Sequence, residues 1–206
     1  MADKSVDDAI NRALKGADRY FMGTHEVHKT ADRIEKLLKE AGIDYAVAGA
    51  LALNAHGVER MTEDVDLLVT REGLTRFKEL WLGRGYIEVT PGAKPIRDAE
   101  TRVKIDFLVS GDFPGDGLPK PVAFPIPKDV AHGSGRWTVV NLPTLIELKL
   151  ASGMTAKDRP RDFDDVIRLI RERQLPRSFG DQLNEYVRGK WAELWQIADA
   201  PPSGDY

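Results

Sequence analysis

The pattern of apolar, small and acidic residues at 45–69 limits this chain to a small number of folds. An apolar run at Tyr45–Ala48 predicts a buried strand, and it stops at the small pair Gly49-Ala50. A short helix is predicted over Leu51–Ala55, and a second strand over Val65–Val69. Small residues at the first turn let the backbone come close to its neighbours or to a ligand. The segment therefore predicts a strand–helix–strand unit with a tight turn after the first strand.

Acidic side chains mark the second of these strands and a later one. Asp64 and Asp66 lie two residues apart, so both point to the same face of a strand. The alternating run Arg102–Val109 predicts another strand, with Asp106 on its polar face. Neighbouring carboxylates repel each other unless a cation lies between them. Hard oxygen ligands of this kind favour Mg²⁺ or Mn²⁺, the usual partners of triphosphates.

The rest of the pattern predicts an α/β (α+β) protein with a mixed twisted sheet flanked by helices. Further helices are predicted at 3–20, 25–41, Glu72–Leu82, Pro143–Ala151 and Asp162–Arg173, with one or two final helices over 178–198. Further strands are predicted at Tyr86–Thr90, Trp137–Val140 and, at a sheet edge, Val122–Ile126. We expect a core of residues 1–140 with N-terminal helices, and a C-terminal helical segment, 141–206, packed on it. Residues 200–206 read as a loose tail.

Composition excludes several classes of protein. The 206 residues carry a formal net charge of −3, which argues against a surface that coats nucleic acid broadly. There is no cysteine, so a thiolate metal site and a disulfide framework are both excluded. No apolar run approaches the length that spans a membrane, and the N-terminus lacks the apolar core of a secretion signal. We therefore expect a cytoplasmic protein with no membrane partner.

Three sequence motifs resemble those of a known family. The first is the Gly-small turn followed by Arg60-Met-Thr-Glu-Asp-Val-Asp66 and a later strand with a third aspartate. The other two are Leu145-Ile-Glu-Leu-Lys-Leu150 and Arg159-Pro-Arg-Asp-Phe-Asp-Asp165. Together they resemble the nucleotidyltransferase fold of the DNA polymerase β superfamily. The closer likeness is to bacterial minimal nucleotidyltransferases and the abortive-infection type of toxin nucleotidyltransferase, over residues 30–172.

The resemblance implies a role for each of the three acids. Asp64 and Asp66 would hold one or two divalent metals that bridge the phosphates of a nucleoside triphosphate. Asp106 would complete the metal site and accept or orient the proton of the attacking hydroxyl. The alternative is that Asp64 belongs to a turn and Asp66 to a solvated strand face, since Asp-x-Asp is a common chance pattern.

The resemblance also implies phosphate-binding and cation-bearing residues. Gly49-Ala50 would bring backbone N–H groups to the phosphates, although the family usually has Gly-Gly or Gly-Ser at this turn and Ala50 lacks the serine hydroxyl. Lys149 would reach the triphosphate with Asp162 beside it, and Arg60 and Thr62 are lesser candidates for phosphate or base contacts. The alternatives are a lysine that extends to solvent, a helix-capping Asp162 and a Gly-Ala pair that serves packing alone.

Taken together, the sequence favours a Mg²⁺- or Mn²⁺-dependent nucleotidyltransferase. It would transfer a nucleoside monophosphate from an NTP to a hydroxyl of RNA, protein or a small molecule. A role as a toxin with a cognate antitoxin, or in phage defence, is a narrower hypothesis, because a fold does not fix the acceptor. A catalytically silent nucleotidyltransferase-fold binding or regulatory module is the first alternative. A glycosyltransferase with a metal-binding Asp-x-Asp is the second, and we expect it to need a larger domain ahead of the motif.

Overall fold

Seven strands form one mixed sheet in the part of the chain that the computed structural model describes, residues 25–156 and 161–200. The strands are β1 (Tyr45–Val47), β2 (Asp64–Val69), β3 (Tyr86–Glu88), β4 (Ile96–Asp98), β5 (Lys104–Val109), β6 (Ala131–Ser134) and β7 (Trp137–Val140). Their order across the sheet is β3-β4-β5-β2-β1-β7-β6. The predicted mixed sheet with flanking helices is confirmed.

Helices pack on this sheet and on one another. They are α1 (25–40), α2 (Gly49–Ala55), α3 (Arg71–Trp81), α4 (Pro127–Val130), α5 (Leu142–Thr155), α6 (Arg161–Glu172) and α7 (Glu185–Asp199), with a 3₁₀ turn at Arg177–Gln182. Helices α5, α6 and α7 contact each other, and α5 also contacts α2. None of the helices in the described part of the chain has the length and apolar character to cross a bilayer.

The centre of the sheet is the parallel pair β2 and β5. Their register runs from Asp64 opposite Lys104 to Val69 opposite Val109. Strand β1 lies antiparallel to β2 on its other side and parallel to β7. Alternate residues of β2 and β5, such as Val65 and Ile105, are fully buried. The residues between them therefore point to the opposite face, where the polar side chains gather.

Helix α1 packs on the sheet through one apolar stripe. Its buried residues follow helical spacing: Val27, Ala31, Ile34 and Leu38. The chain turns at Gly42 directly after the helix, where a φ of +64° suits glycine, and the N–H of Ile43 donates to the Leu38 carbonyl. A buried carboxylate also fixes the helix, since Glu35 accepts hydrogen bonds from the Tyr45 hydroxyl (2.7 Å) and the Thr138 N–H (2.9 Å). These contacts attach α1 to both β1 and β7.

The structure differs from the sequence-based assignment in a few elements. Val122–Ile126 is not a strand, although the Phe124 N–H and carbonyl both bond to the backbone near the end of β5. Strands β4 and β6 and the short helix α4 were not predicted, because each is only three or four residues long and lacks the apolar run that marks the equally short β1 and β7. The helix predicted at 3–20 and the tail predicted at 200–206 lie outside the described residues, apart from Ala200.

His56 connects the end of α2 to the sheet and generates a pH prediction. Its ring is 7% exposed, and Nε2 donates to the Val140 carbonyl at 2.8 Å. Burial lowers the pKa of His56 below its usual value. The unfolded chain therefore binds a proton more readily, so this contribution to stability is present above about pH 6.5 and declines as pH falls below it.

We expect His56→Gln to flatten the pH dependence of stability. The wild-type free energy of unfolding should fall by up to about 1.4 kcal/mol per pH unit below pH 6.5 as the unfolded chain takes up this proton. Glutamine keeps an N–H for Val140 but cannot titrate. Urea unfolding between pH 5 and pH 8 measures the difference. His25→Gln, at an exposed position on α1, is the matched control and should keep the wild-type slope.

Candidate functional site

The three predicted acids lie on one face of the β2–β5 pair. Asp66 and Asp106 are direct neighbours across the two strands, and Asp64 lies two residues before Asp66. All three are partly exposed, whereas the residues between them are buried. Burial raises the pKa of Asp64 above its usual value, and the negative charge of Asp106 raises it further against the opposing effect of Lys104. The face is therefore a site of crowded negative charge.

Lys104 is the fourth polar residue of this face. It lies opposite Asp64 in the register, and its ammonium donates to the Asp106 carboxylate at 2.7 Å. This hydrogen bond raises the pKa of Lys104, and the charges of Asp106, Asp64 and Asp66 raise it further. One lysine thus faces three carboxylates on two neighbouring strands.

Gly49 lets the Asp66 carboxylate lie directly against the turn after β1. Its φ is +58°, and a Cβ at this position would come within 1.8 Å of Asp66 Oδ2. The backbone joins the same two places, because the Ala48 N–H donates to the Asp66 carbonyl at 2.9 Å. Helix α2 starts here with no side chain capping its first turn. Glycine is required at this position both for its φ and for the space that Asp66 occupies.

Hydrogen bonds from Asn54 and Thr62 fix the segment between α2 and β2. The Asn54 side chain bonds to both the N–H and the carbonyl of Arg60, at 2.6 and 3.0 Å. The Thr62 hydroxyl accepts from the Asp64 N–H and donates to the Asp64 carbonyl. These contacts hold Arg60 and Asp64 in place at the two ends of the segment that leads into the acid-bearing strand.

A network of two cations and two carboxylates joins this segment to the C-terminal helices. Asp165, only 1% exposed, accepts from Arg60 at 2.8 Å and from Lys149 at 2.6 Å. Lys149 also donates to Asp162 at 3.1 Å, and all four side chains are largely buried. The two positive and two negative charges cancel within the network. A buried charge of this kind is tolerated because it is paired and hydrogen-bonded.

One cavity of about 240 Å³ is lined by the Gly49-Ala50 turn, by strand β2 and by the ion network. All predicted site residues except Asp64 and Asp106 line it: Gly49, Ala50, Arg60, Thr62, Asp66, Lys149 and Asp162. Apolar residues such as Leu108 and Phe124 form another part of its wall. The cavity therefore offers both charged and apolar surface to a ligand of modest size.

Ser152 and Lys104 belong to this region and were not predicted as site residues. Ser152 lines the cavity one helical turn after Lys149, is 5% exposed, and its hydroxyl has no hydrogen-bond partner among the described residues. Helical spacing places Ser152 on the same side of α5 as Lys149, but that spacing alone does not mark it as a site residue. Strand alternation places Lys104 on the same face as Asp106, two residues later, with the same limit.

We call the side of β2 and β5 that carries Asp64, Asp66 and Asp106 the acid face. Its three neighbouring carboxylates suit a hard divalent cation. As the side chains lie, however, no group of three His, Cys, Asp or Glu residues within 25–156 and 161–200 is arranged to hold a metal ion. Asp106 is engaged by Lys104, and Asp66 lies against Gly49. The donor set is therefore chemically suited to a metal, although the side chains as they lie are not arranged around one and Asp106 accepts a hydrogen bond from the Lys104 ammonium.

Solved structures similar to this chain include proteins of low sequence identity. An antigenic nucleotidyltransferase-like protein from Paracoccidioides brasiliensis has a TM-score of 0.48 and 17% identity, over 71% of this chain and 76% of that one. A Helicobacter pylori protein described as a presumed nucleotidyltransferase has a TM-score of 0.44 and 17% identity, over 83% and 80%. JHP933 from Helicobacter pylori has a TM-score of 0.38 and 15% identity, over 83% and 90%. No protein-family model and no curated protein sequence matches the chain.

We expect Gly49→Ala to destabilise the protein more than Gly42→Ala. Both glycines have nearly the same positive φ, but a Cβ at Gly42 meets nothing within 4 Å. Gly42→Ala should therefore cost only the strain of the left-handed backbone, about 1–2 kcal/mol. Gly49→Ala adds a clash that must push the Asp66 carboxylate aside. Urea unfolding of both variants measures the difference, and equal losses of stability would show that Asp66 does not depend on the space at Gly49.

Proposed function

We propose that this protein is a metal-dependent nucleotidyltransferase that moves a nucleoside monophosphate from an NTP to an acceptor hydroxyl. The observation that carries the proposal is the cavity that joins Gly49 and Asp66, at the sheet, to Lys149 on α5. The motif resemblance named these residues, which lie far apart in the sequence. Their meeting at one cavity supports the nucleotide site, because phosphoryl transfer depends mainly on positioning and on charge stabilisation.

The cation-bearing side of the cavity suits the triphosphate. Lys149 and Arg60 both reach into the same ion network, and each can donate hydrogen bonds to phosphate oxygens. Asp165 and Asp162 hold these cations in position. The apolar wall around Phe124 and Leu108 would then receive the base. A ligand with an anionic end and a flat apolar end matches this division of the cavity.

The acid face suits the reacting end of the nucleotide. The acceptor oxygen bonds to the α-phosphorus, the bond from that phosphorus to the β-phosphate oxygen breaks, and pyrophosphate leaves. The hydroxyl proton passes to the Asp106 carboxylate, which is partly exposed and so can be reached by an acceptor. Bound Mg²⁺ or Mn²⁺ would be held by Asp64, Asp66 and Asp106, and it supplies positive charge at the phosphate oxygens.

Ser152 supports a polar ligand in the cavity independently of the acids. A buried hydroxyl that makes no hydrogen bond costs about 1–3 kcal/mol, so such groups usually have a partner. The Ser152 hydroxyl has none among the described residues, and it lies in the wall of the cavity. A sugar hydroxyl or a base edge of the nucleotide would provide that partner.

The first test is label transfer from each α-labelled NTP in the presence of cell extract and Mg²⁺. Asp66→Asn and Asp106→Asn should each reduce transfer by about 100-fold or more, because each removes negative charge that the reacting centre requires. Asp44→Asn, at an exposed position just before β1, is the matched control and should keep wild-type activity. Transfer that persists in both acid variants would contradict the mechanism.

The labelled product also identifies the acceptor. Digestion of the extract with ribonuclease or protease, followed by recovery of the label, separates RNA, protein and small-molecule acceptors. The narrower toxin hypothesis is tested by expression in a bacterial host, where growth arrest by the wild type should be relieved by Asp66→Asn. A catalytically silent module would show no Mg²⁺-dependent NTP binding at millimolar metal, and no transfer.

A second test uses the buried hydroxyl. We expect Ser152→Ala to weaken NTP binding by roughly 3- to 10-fold while the free protein becomes no less stable, because the change removes an unsatisfied polar group. Calorimetric NTP binding and urea unfolding measure the two effects. Thr155→Val is the matched control, since the Thr155 hydroxyl already donates to the Ala151 carbonyl and should not affect NTP binding. Unchanged affinity in Ser152→Ala would remove Ser152 from the nucleotide site.

A further inference from the structure

Lys104 is a cation built into the acid face. In the register of β2 and β5, Asp64 is opposite Lys104 and Asp66 is opposite Asp106. The four residues form a square of three carboxylates and one ammonium on the same side of the sheet. The backbone fixes this arrangement, because strand pairing and alternation set which residues are neighbours.

The contacts of Lys104 are with the acids. Its ammonium donates to Asp106 Oδ2 at 2.7 Å, and the two side chains are 33% and 29% exposed. The nearby Arg97, which pairs with Lys104 from β4, instead donates to the Arg102 carbonyl. An ion pair as exposed as Lys104–Asp106 contributes little to stability. Its effect is therefore expected on what the acid face can bind.

We propose that the Lys104 ammonium takes the place of one divalent metal, so that the acid face binds a single Mg²⁺ or Mn²⁺ ion. This inference rests on the proposed function, in which the three acids hold the metal. Three carboxylates and one ammonium carry a formal charge of −2, which one divalent cation neutralises. Without the ammonium the charge is −3, and a second divalent cation can bind.

Lys104 acts on one particular acid, Asp106. Asp106 is the carboxylate that receives the hydroxyl proton in the proposed reaction, and it is the one that Lys104 holds. Asp66 lies against Gly49 on the other side of the face. Lys104 is thus a positioning residue, which orients Asp106 and supplies fixed positive charge beside it.

The experiment is a count of bound Mn²⁺, the metal alone, by electron paramagnetic resonance and calorimetry. The wild type should bind one Mn²⁺ per chain. Lys104→Met should bind two, with the first about tenfold tighter, because a positive charge beside the site has been removed. Lys104→Gln provides a second neutral variant, and both are checked for folding by thermal unfolding. Lys104→Arg should behave as the wild type, since it keeps the charge.

Lys94→Met is the matched control, because Lys94 forms an exposed pair with Asp112 outside the acid face. It should bind one Mn²⁺ with wild-type affinity. Equal number and affinity in the wild type and both neutral variants, or two ions in the wild type, would overturn the inference and leave the proposed function standing. No Mn²⁺ bound by the wild type or by any variant at millimolar metal would instead overturn the metal-dependent function, and the inference with it.

Discussion

Parallel pairing between β2 and β5 is the constraint on which the site depends. A single register places Asp66 beside Asp106 and Asp64 beside Lys104, while it buries Val65 and Ile105 on the opposite face. A shift of one residue in either strand would turn its carboxylates into the core, where unpaired charge is very costly. The hydrophobic core therefore specifies the position of the acids.

The sequence predicted the elements that have strong periodicity and missed the ones that do not. Alternation in Arg102–Val109 and the apolar spacing of α1 both have a physical cause that acts within a single segment, namely one buried face. Strand β4 is three residues long and pairs with its sequence neighbours β3 and β5, so no alternating run of its own marks it as a strand. Val122–Ile126 has strand-like composition, but it makes only two backbone bonds near Asp112 and no ladder. Hydrogen-bond pairing between segments, which a pattern in one segment cannot reveal, decided both cases.

The candidate site likewise contains residues that the sequence predicted and residues that it did not. Gly49, Asp66 and Lys149 were named from motifs, and the structure brings them to one cavity. Lys104 and Ser152 could not be singled out from the sequence, because a lysine two residues before an acid and a serine one turn after a lysine are both common in any chain. Ser152 is distinguished only by its burial without a hydrogen bond, and Lys104 only by the strand opposite it. Both distinctions arise from three-dimensional packing.

The balanced charges of the Arg60–Asp165–Lys149–Asp162 network have a consequence for ligand affinity. Because each cation already has a carboxylate partner, the network can offer hydrogen bonds to the proposed triphosphate but no net positive charge. In the proposed function the triphosphate would therefore bind together with a metal counterion. Occupancy by nucleotide and by metal would then be thermodynamically linked, and each would raise the affinity for the other by the same factor.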